Sequence, residues 1–450
     1  MSRIRIVMTI IVVIFVTLLT GCTGKEPNEI AYVVALGIDS TDDDNYKITI
    51  QYANTTQISG GASESGGKAG SEIVDNVTIE APNIYAGVGL ANNIVSKSFS
   101  MSHAKLIVFS KEIAEKGVKD MIETLVRSEE IRPDVFIAVA NTTANDYLTA
   151  VNPEMEVNPA QYYQLIYQKN QLVGIPDGQL REFFTGLYTD NYDSILPIAG
   201  VIEGSGGNSQ NDDKGQSKDG QNEGSEGSSE SLDSFESKSS DDKDENEKEK
   251  DAEKNTSKYE YDIKNYVGGE TAIEKKNKAE AIGAAVFEKD KMVGELGEVE
   301  TEICKMLKGD YTYSYLTYYN NDTPDIPITV KTTQQKKPKY KIDTDKKTVD
   351  IELYIESDLY SLPADYNVEN KIEDFERDVA NYTSSACTEF INNFTKKYNS
   401  DILKLNEKIK YKFLTNNQYN WFKKNVGWSE YKFSVCTNFK VRRTGLIVRE

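Results

Sequence analysis

Few residues in this chain have the types and spacing that chemistry needs. The chain has one histidine, His103, and four cysteines in 450 residues. A nucleophilic triad would have to be built around that single imidazole, and zinc needs several His or Cys ligands converging, for which no spacing exists here. His103 stands in Ser102-His103-Ala104-Lys105 at the mouth of a predicted strand, where hydrogen bonding beside the strand is its expected role. Carboxylates are so abundant that no Asp/Glu pair singles itself out as the acid and nucleophile of a glycosidase. Asp39, directly after a predicted strand, is expected to cap or turn the chain. Gly87-Val88-Gly89 falls inside a predicted helix instead of between strand and helix, the wrong context for a dinucleotide fingerprint, and no Walker sequence occurs. Tyr311, Tyr313, Tyr315, Tyr318 and Tyr319 could stack on sugar rings, but Tyr at alternate positions is also what a half-buried strand requires. No cofactor, no metal and no catalytic set is expected.

Cys22 is the exception. Arg3 and Arg5 precede an apolar run over residues 6–19, which ends in Leu19-Thr20-Gly21-Cys22. That order of parts is a signal peptide's, and the run is too short to cross a hydrocarbon core needing roughly 20 residues. The last four residues resemble a lipobox, in which the thiol receives a diacylglyceryl group before cleavage makes it the new N-terminus. Residues 1–21 are therefore expected to be removed, and lipidated Cys22 to tether the rest. A second acyl chain matters because each buried CH₂ adds about 0.8 kcal/mol and one chain holds only marginally.

The remaining composition bounds what hangs from that anchor. A formal charge of −20 argues against nucleic acid, whose binding works by counterion release to Lys and Arg. It argues equally against a polybasic grip on anionic lipid. Cys304, Cys387 and Cys436 are an odd number, so this is no disulfide framework.

These residues must be positioned by elements that divide into two stretches. Residues 204–258 hold almost only Gly, Ser, Asn, Gln, Asp, Glu and Lys, and such a segment cannot offset about 1–2 kcal/mol per residue of backbone entropy. A disordered acidic linker is expected there, and a shorter flexible loop at 59–70. Before it, residues 22–203 alternate strands (30–38, 46–52, 73–79, 105–109, 135–140) with two helices. One helix carries Ile84, Val88, Ala91 and Val95 on one face, the other Val118, Met121, Ile122, Leu125 and Val126. After it, residues 259–450 open with a hairpin (281–287 and 292–296 about Glu288-Lys289-Asp290-Lys291). A helix at 298–307, strands at 326–330, 340–342 and 349–355, a long helix over 368–397 and an alternating strand at 431–441 follow. The fold class expected is α+β: several mixed α/β domains with twisted sheets and flanking helices, split by the acidic linker.

Residues 101–140, MSHAKLIVFSKEIAEKGVKDMIETLVRSEEIRPDVFIAVA, resemble the signature of the Ger(x)C lipoproteins, the C subunits of spore germinant receptors. That signature has a Ser/Gly-His-x-Lys before a strand, a Gly starting a helix, and two arginines flanking an acidic turn. The matching positions are His103, Lys105, Gly117, Arg127 and Arg132. Further matches are residues 29–39, residues 283–296 (GAAVFEKDKMVGEL), and Trp421 and Trp428 ahead of the strand leading to Thr444-Gly445. The chain departs from the pattern in its long acidic segment and around Asp401, where many relatives carry a clearer Asp-rich turn.

The resemblance implies a non-catalytic subunit on the outer face of the spore's inner membrane. It would work beside a transporter-like B subunit and a membrane-anchored A subunit, in a complex that senses a small-molecule germinant. It assigns no germinant contact to any residue here. Two other classes stay open: a substrate-binding lipoprotein of an importer, which needs two similar lobes, and a cell-wall-associated lipoprotein.

Overall fold

Residues Ala31 to Asp39 are apolar almost throughout, and strand β1 (Ile30–Ser40), which they form, is buried on both faces at the middle of a sheet. Parallel strands covered on both sides read as such continuous runs. Its parallel neighbours are alike: β5 (Leu106–Ser110), β6 (Phe136–Ala140) and β7 (Ile195–Val201) lie in the order β1-β5-β6-β7. Beyond β1 the sheet continues antiparallel through β2 (Tyr46–Ala53) and β3 (Val74–Ala81), and β4 (Ser98–Ser100) pairs with the start of β1. Helices Ile84–Ala91, Lys111–Lys116, Lys119–Arg127 and Leu180–Thr189 cover one face. Helices Ala144–Ala150 and Pro159–Gln168 cover the other. They bring in buried Tyr147, Tyr163 and Tyr167, whose hydroxyls are satisfied within the core: Tyr147 and Tyr167 bond each other at 2.9 Å, and Tyr163 donates to Gln51 at 2.5 Å.

The computed structural model describes residues 3–9, 29–43, 45–53, 74–152, 156, 158–168, 174–189, 191–202, 265–271, 277–320, 323–361 and 371–444. Cys22, the 59–70 patch and the 204–258 segment lie outside them. Of the chain, 1–203 and 264–450 form one unit.

The sheet does not follow the 203/259 division read from composition. The hairpin β8 (Ala279–Glu288) and β9 (Lys291–Leu296) extends the first sheet, with β8 antiparallel to β7 from Ile195↔Val286 to Val201↔Ala279. A second, five-stranded sheet is organised on β13 (Thr348–Ser361). One edge of β13 takes β12 (Lys339–Asp343) along its first half and β11 (Thr323–Gln334) along its second; β10 (Tyr313–Asn320) pairs onward with β11. The other edge pairs in parallel with β14 (Lys432–Arg443), whose residues alternate buried and exposed as the sequence predicts. The long helix Ile372–Tyr398 lays Phe375, Val379, Cys387, Ile391 and Phe394 on this sheet. Ile195, Ala284, Val286 and Leu296 of the first sheet belong to the same apolar cluster, so one core joins both sheets. The expected α+β class is the one found.

Candidate functional site

The signature positions fall at two ends of the parallel strands. Lys105 leads into β5, its N–H donating to Val34 O at 2.9 Å and its carbonyl accepting from Phe136 N at 3.0 Å. His103, exposed just before it, sets its ring edge-on against Tyr32 at 4.7 Å and bonds Ser102 through Nδ1 at 3.0 Å. The acidic turn closes on the same edge. Glu130 accepts the Met101 N–H at 2.7 Å, and Arg132 clamps Asp134 with two bonds of 2.9 Å each. The Arg132 guanidinium, bonded to Asp134, holds that carboxyl below the usual range, with Lys105 adding to the effect. His103, Lys105 and Arg132 are thus gathered at the edge where β5 and β6 begin.

Gly117 and Arg127 lie elsewhere. Arg127 ends its helix in a largely exposed pair with Glu123 at 3.1 Å. Gly117 closes the helix Lys111–Lys116, and the following helix starts only at Lys119, so it joins two helices where the sequence predicts one. Its φ of +124° is open to glycine, and a Cβ there would stand 2.6 Å from Asp290 Oδ2 in the β8–β9 turn. Val118 N–H donates to Asp290 O at 3.0 Å, tying this junction to the hairpin.

Asp39 caps, as expected, but across the sheet. Its carboxylate accepts the N–H of Ala144 at 2.6 Å and of Asn145 at 3.0 Å at the start of the helix Ala144–Ala150. Burial pushes its pKa up against the pull of those two bonds.

A cavity of about 400 Å³ opens where the loop before β7 meets the helix Glu298–Lys308. Its walls include Asp177, Glu182, Asp193, Lys305, Lys308 and Lys404. Burial raises Glu182, but the bond from Lys404 at 3.0 Å, the Lys404 charge, the Tyr192 hydroxyl and Arg181 together outweigh it and leave the carboxyl below its usual range. The same ammonium sits 4.2 Å from the centre of the Tyr192 ring. Lys305, held down by burial, donates to Ile175 O at 3.1 Å. Beside the cavity, Asp193 and Asp401 form a reciprocal stitch. Asp401 N–H donates to Asp193 Oδ2 at 2.9 Å, and Asp193 N–H to Asp401 O at 3.2 Å. The Asp401 carboxylate caps the helix Leu405–Ile409 through the N–H groups of Leu405 at 2.7 Å and Asn406 at 2.8 Å. These groups bind and brace one another; none is aimed as a nucleophile with a base behind it. Sequence reasoning missed the seam, because its partners lie 208 and 222 residues apart.

Cys304, Cys387 and Cys436 are free. Burial raises the first two to about 11 and about 12, far from a thiolate at neutral pH, while Cys436 is exposed. Among the described residues no group of three or more His, Cys, Asp and Glu converges on a metal position, and no helix is long and apolar enough to cross a membrane. Tyr313, Tyr315, Tyr318 and Tyr319 lie in strand β10; Tyr318 is buried and packs edge-on against Phe375, while Tyr315 is exposed.

Residues 24–201 match the spore germination protein N-terminal domain, and residues 282–445 the spore germination B3/GerAC-like C-terminal domain. The chain belongs to this spore germination family. Among its relatives in Bacillus subtilis (strain 168), spore germination protein KC is 27% identical over 36% of this chain and 43% of its own length. Spore germination protein B3 is 26% identical over 31% of this chain and 36% of its own length. The chain thus aligns with less than half the length of these curated relatives. The crystal structure of the GerBC protein matches 90% of this chain and 96% of its own, at 15% identity and a TM-score of 0.48.

Proposed function

We propose that the chain is a non-catalytic, lipid-anchored subunit of a spore germinant receptor, held by Cys22 to the outer face of the spore's inner membrane. It acts there beside the membrane subunits A and B, and is required for the nutrient-triggered response. The match of both family domains, one on each side of the 204–258 segment, carries this reading; the Thr20-Gly21-Cys22 motif supplies the anchor. His103, Lys105, Gly117, Arg127 and Arg132 serve structure or an interface within the complex, and the germinant is sensed by the complex as a whole. A subunit of this kind acts by favouring one state of an assembly, and a ligand shifts such an equilibrium only by its differential affinity for the two states.

Spores lacking the gene test it. They should lose the response to the nutrient served by their own receptor while responding normally through other receptors and to agents acting downstream. Normal germination of such spores with every nutrient overturns the reading.

A further inference from the structure

The chain's acidity is not spread evenly. Over residues 405–425 the sequence turns basic, with Lys408, Lys410, Lys412, Lys423 and Lys424 against Glu407 alone, although half-buried Lys408 faces Asp401 and Lys412 faces Asp343. Lys412 donates to Ile342 O, and Lys408 and Lys423 donate to the carbonyls of Leu403 and Thr189. Carbonyl partners fix an ammonium without cancelling its charge. Among the described residues no carboxylate forms an ion pair with Lys410, Lys423 or Lys424.

Large apolar side chains stand in water among these lysines: Leu414 is 94% exposed, Tyr411 80% and Trp421 64%. Leu414 sits directly before Thr415, the N-cap of helix Asn416–Asn425, a position that ordinarily staples onto the helix four residues in. Here Phe413 takes that role, packing on Tyr419 at 5.7 Å and Phe422 at 5.1 Å, and Leu414 is left pointing away. Trp421 lies on the outer side of the same helix, one turn from Lys424, while Tyr419 and Phe422 fill the inner side.

We infer that this basic tip is a membrane-contacting surface, its Tyr411, Leu414 and Trp421 entering the interface of an anionic phospholipid bilayer while the lysines meet the headgroups. Trp and Tyr favour that depth, and Lys flanks them in interfacial segments. An acidic surface is repelled from anionic lipid and a basic one attracted, so this patch biases which side faces the bilayer. The apolar residues stand singly between charges, whereas a protein interface draws on a contiguous, charge-poor patch. The inference goes beyond the Cys22 tether: it adds a second contact that the overall charge of −20 conceals.

The two tryptophans provide the test, since Trp428 is 4% exposed and only Trp421 is free to meet lipid. The full chain is mixed with vesicles of phosphatidylcholine alone, or of phosphatidylcholine with phosphatidylglycerol, each with and without brominated acyl chains; flotation reports attachment and Trp emission reports depth. On phosphatidylglycerol vesicles the emission should shift to the blue and be quenched by bromine. The effect should vanish in Trp421→Phe. Each Lys near an anionic surface contributes about five-fold, so Lys410→Glu with Lys424→Glu should weaken the response at least twenty-five-fold in lipid titration. Lipid-free circular dichroism of that double variant should match the parent. If the chain floats but Trp421 emission stays as in buffer and unquenched by bromine on both vesicle types, this surface does not touch lipid; the inference then fails while the tether stands. If the chain floats only with phosphatidylglycerol, the tip holds and the tether reading fails.

Discussion

Asp401→Asn separates a capping role from a charge-burial cost. Asp401 is 4% exposed, and burial raises its carboxyl from 3.8 to about 7 even though two backbone N–H groups bond it. Because the folded state holds the proton more tightly than the unfolded one, stability is highest below about pH 4. It falls as pH rises through the window from about 4 to about 7 and is level above it. At 1.36 kcal/mol per pKa unit, roughly three units amount to a loss of at most ~4 kcal/mol. An asparagine has no such window, but its amide oxygen accepts only one of the two N–H bonds, and the unpaired donor costs ~1–2 kcal/mol. The variant should therefore be at most ~1 kcal/mol less stable than the parent near pH 4.5, where about 1 kcal/mol of that loss has already accrued, and ~2 kcal/mol more stable near pH 8. Urea unfolding followed by circular dichroism at both pH values measures the crossing. A difference of one sign and size at both would show that Asp401 is ionised throughout and serves as an ordinary cap.

Asp39→Ala strands two N–H groups at the start of helix Ala144–Ala150 and should cost ~2–3 kcal/mol in urea unfolding at neutral pH; a loss under 0.5 kcal/mol would contradict the cap. Gly117→Ala forces a Cβ at φ +124° against Asp290 and should cost ~1–3 kcal/mol, with hydrogen exchange rising first in the β8–β9 turn. Cys22→Ala should abolish incorporation of a labelled fatty acid and release the chain from the membrane fraction, and label retained by the variant would refute the anchor.

Where apolar residues kept a regular period, the elements could be read directly. β14 and β13 alternate over their length, the helix Ile372–Tyr398 carries its apolar residues at helical spacing, and Glu288-Lys289-Asp290-Lys291 marks a hairpin turn. The helix Ala144–Ala150 was not read because ANDYLTA has no such period; Thr143 caps it locally, but Asp39, which accepts its first two N–H groups, is 105 residues away. β7 was missed for a related reason: buried on both sides, ILPIAGV has no alternation, and its Pro197 argues against a central strand. The sheet to which β8 and β9 belong is not written in their alternation, which would suit either one. Of the site, the signature fixed which residues to examine, but not that His103, Lys105 and Arg132 share one strand edge while Gly117 faces the hairpin.

The pairing of Val201 with Ala279 alters what the acidic segment is able to connect. Residues 201 and 279 are hydrogen-bonded neighbours, so the chain between them leaves and re-enters the same sheet at adjacent points, and its length cannot set a distance between two bodies. Doubling it would cost only about 0.6 kcal/mol in closure entropy. A protease cutting inside it would leave a nicked protein whose fragments stay joined by a strand ladder, a shared core and the Asp193–Asp401 stitch. The two polypeptides would behave as one folding partner pair, with the break felt in the rate of assembly far more than in the architecture reached.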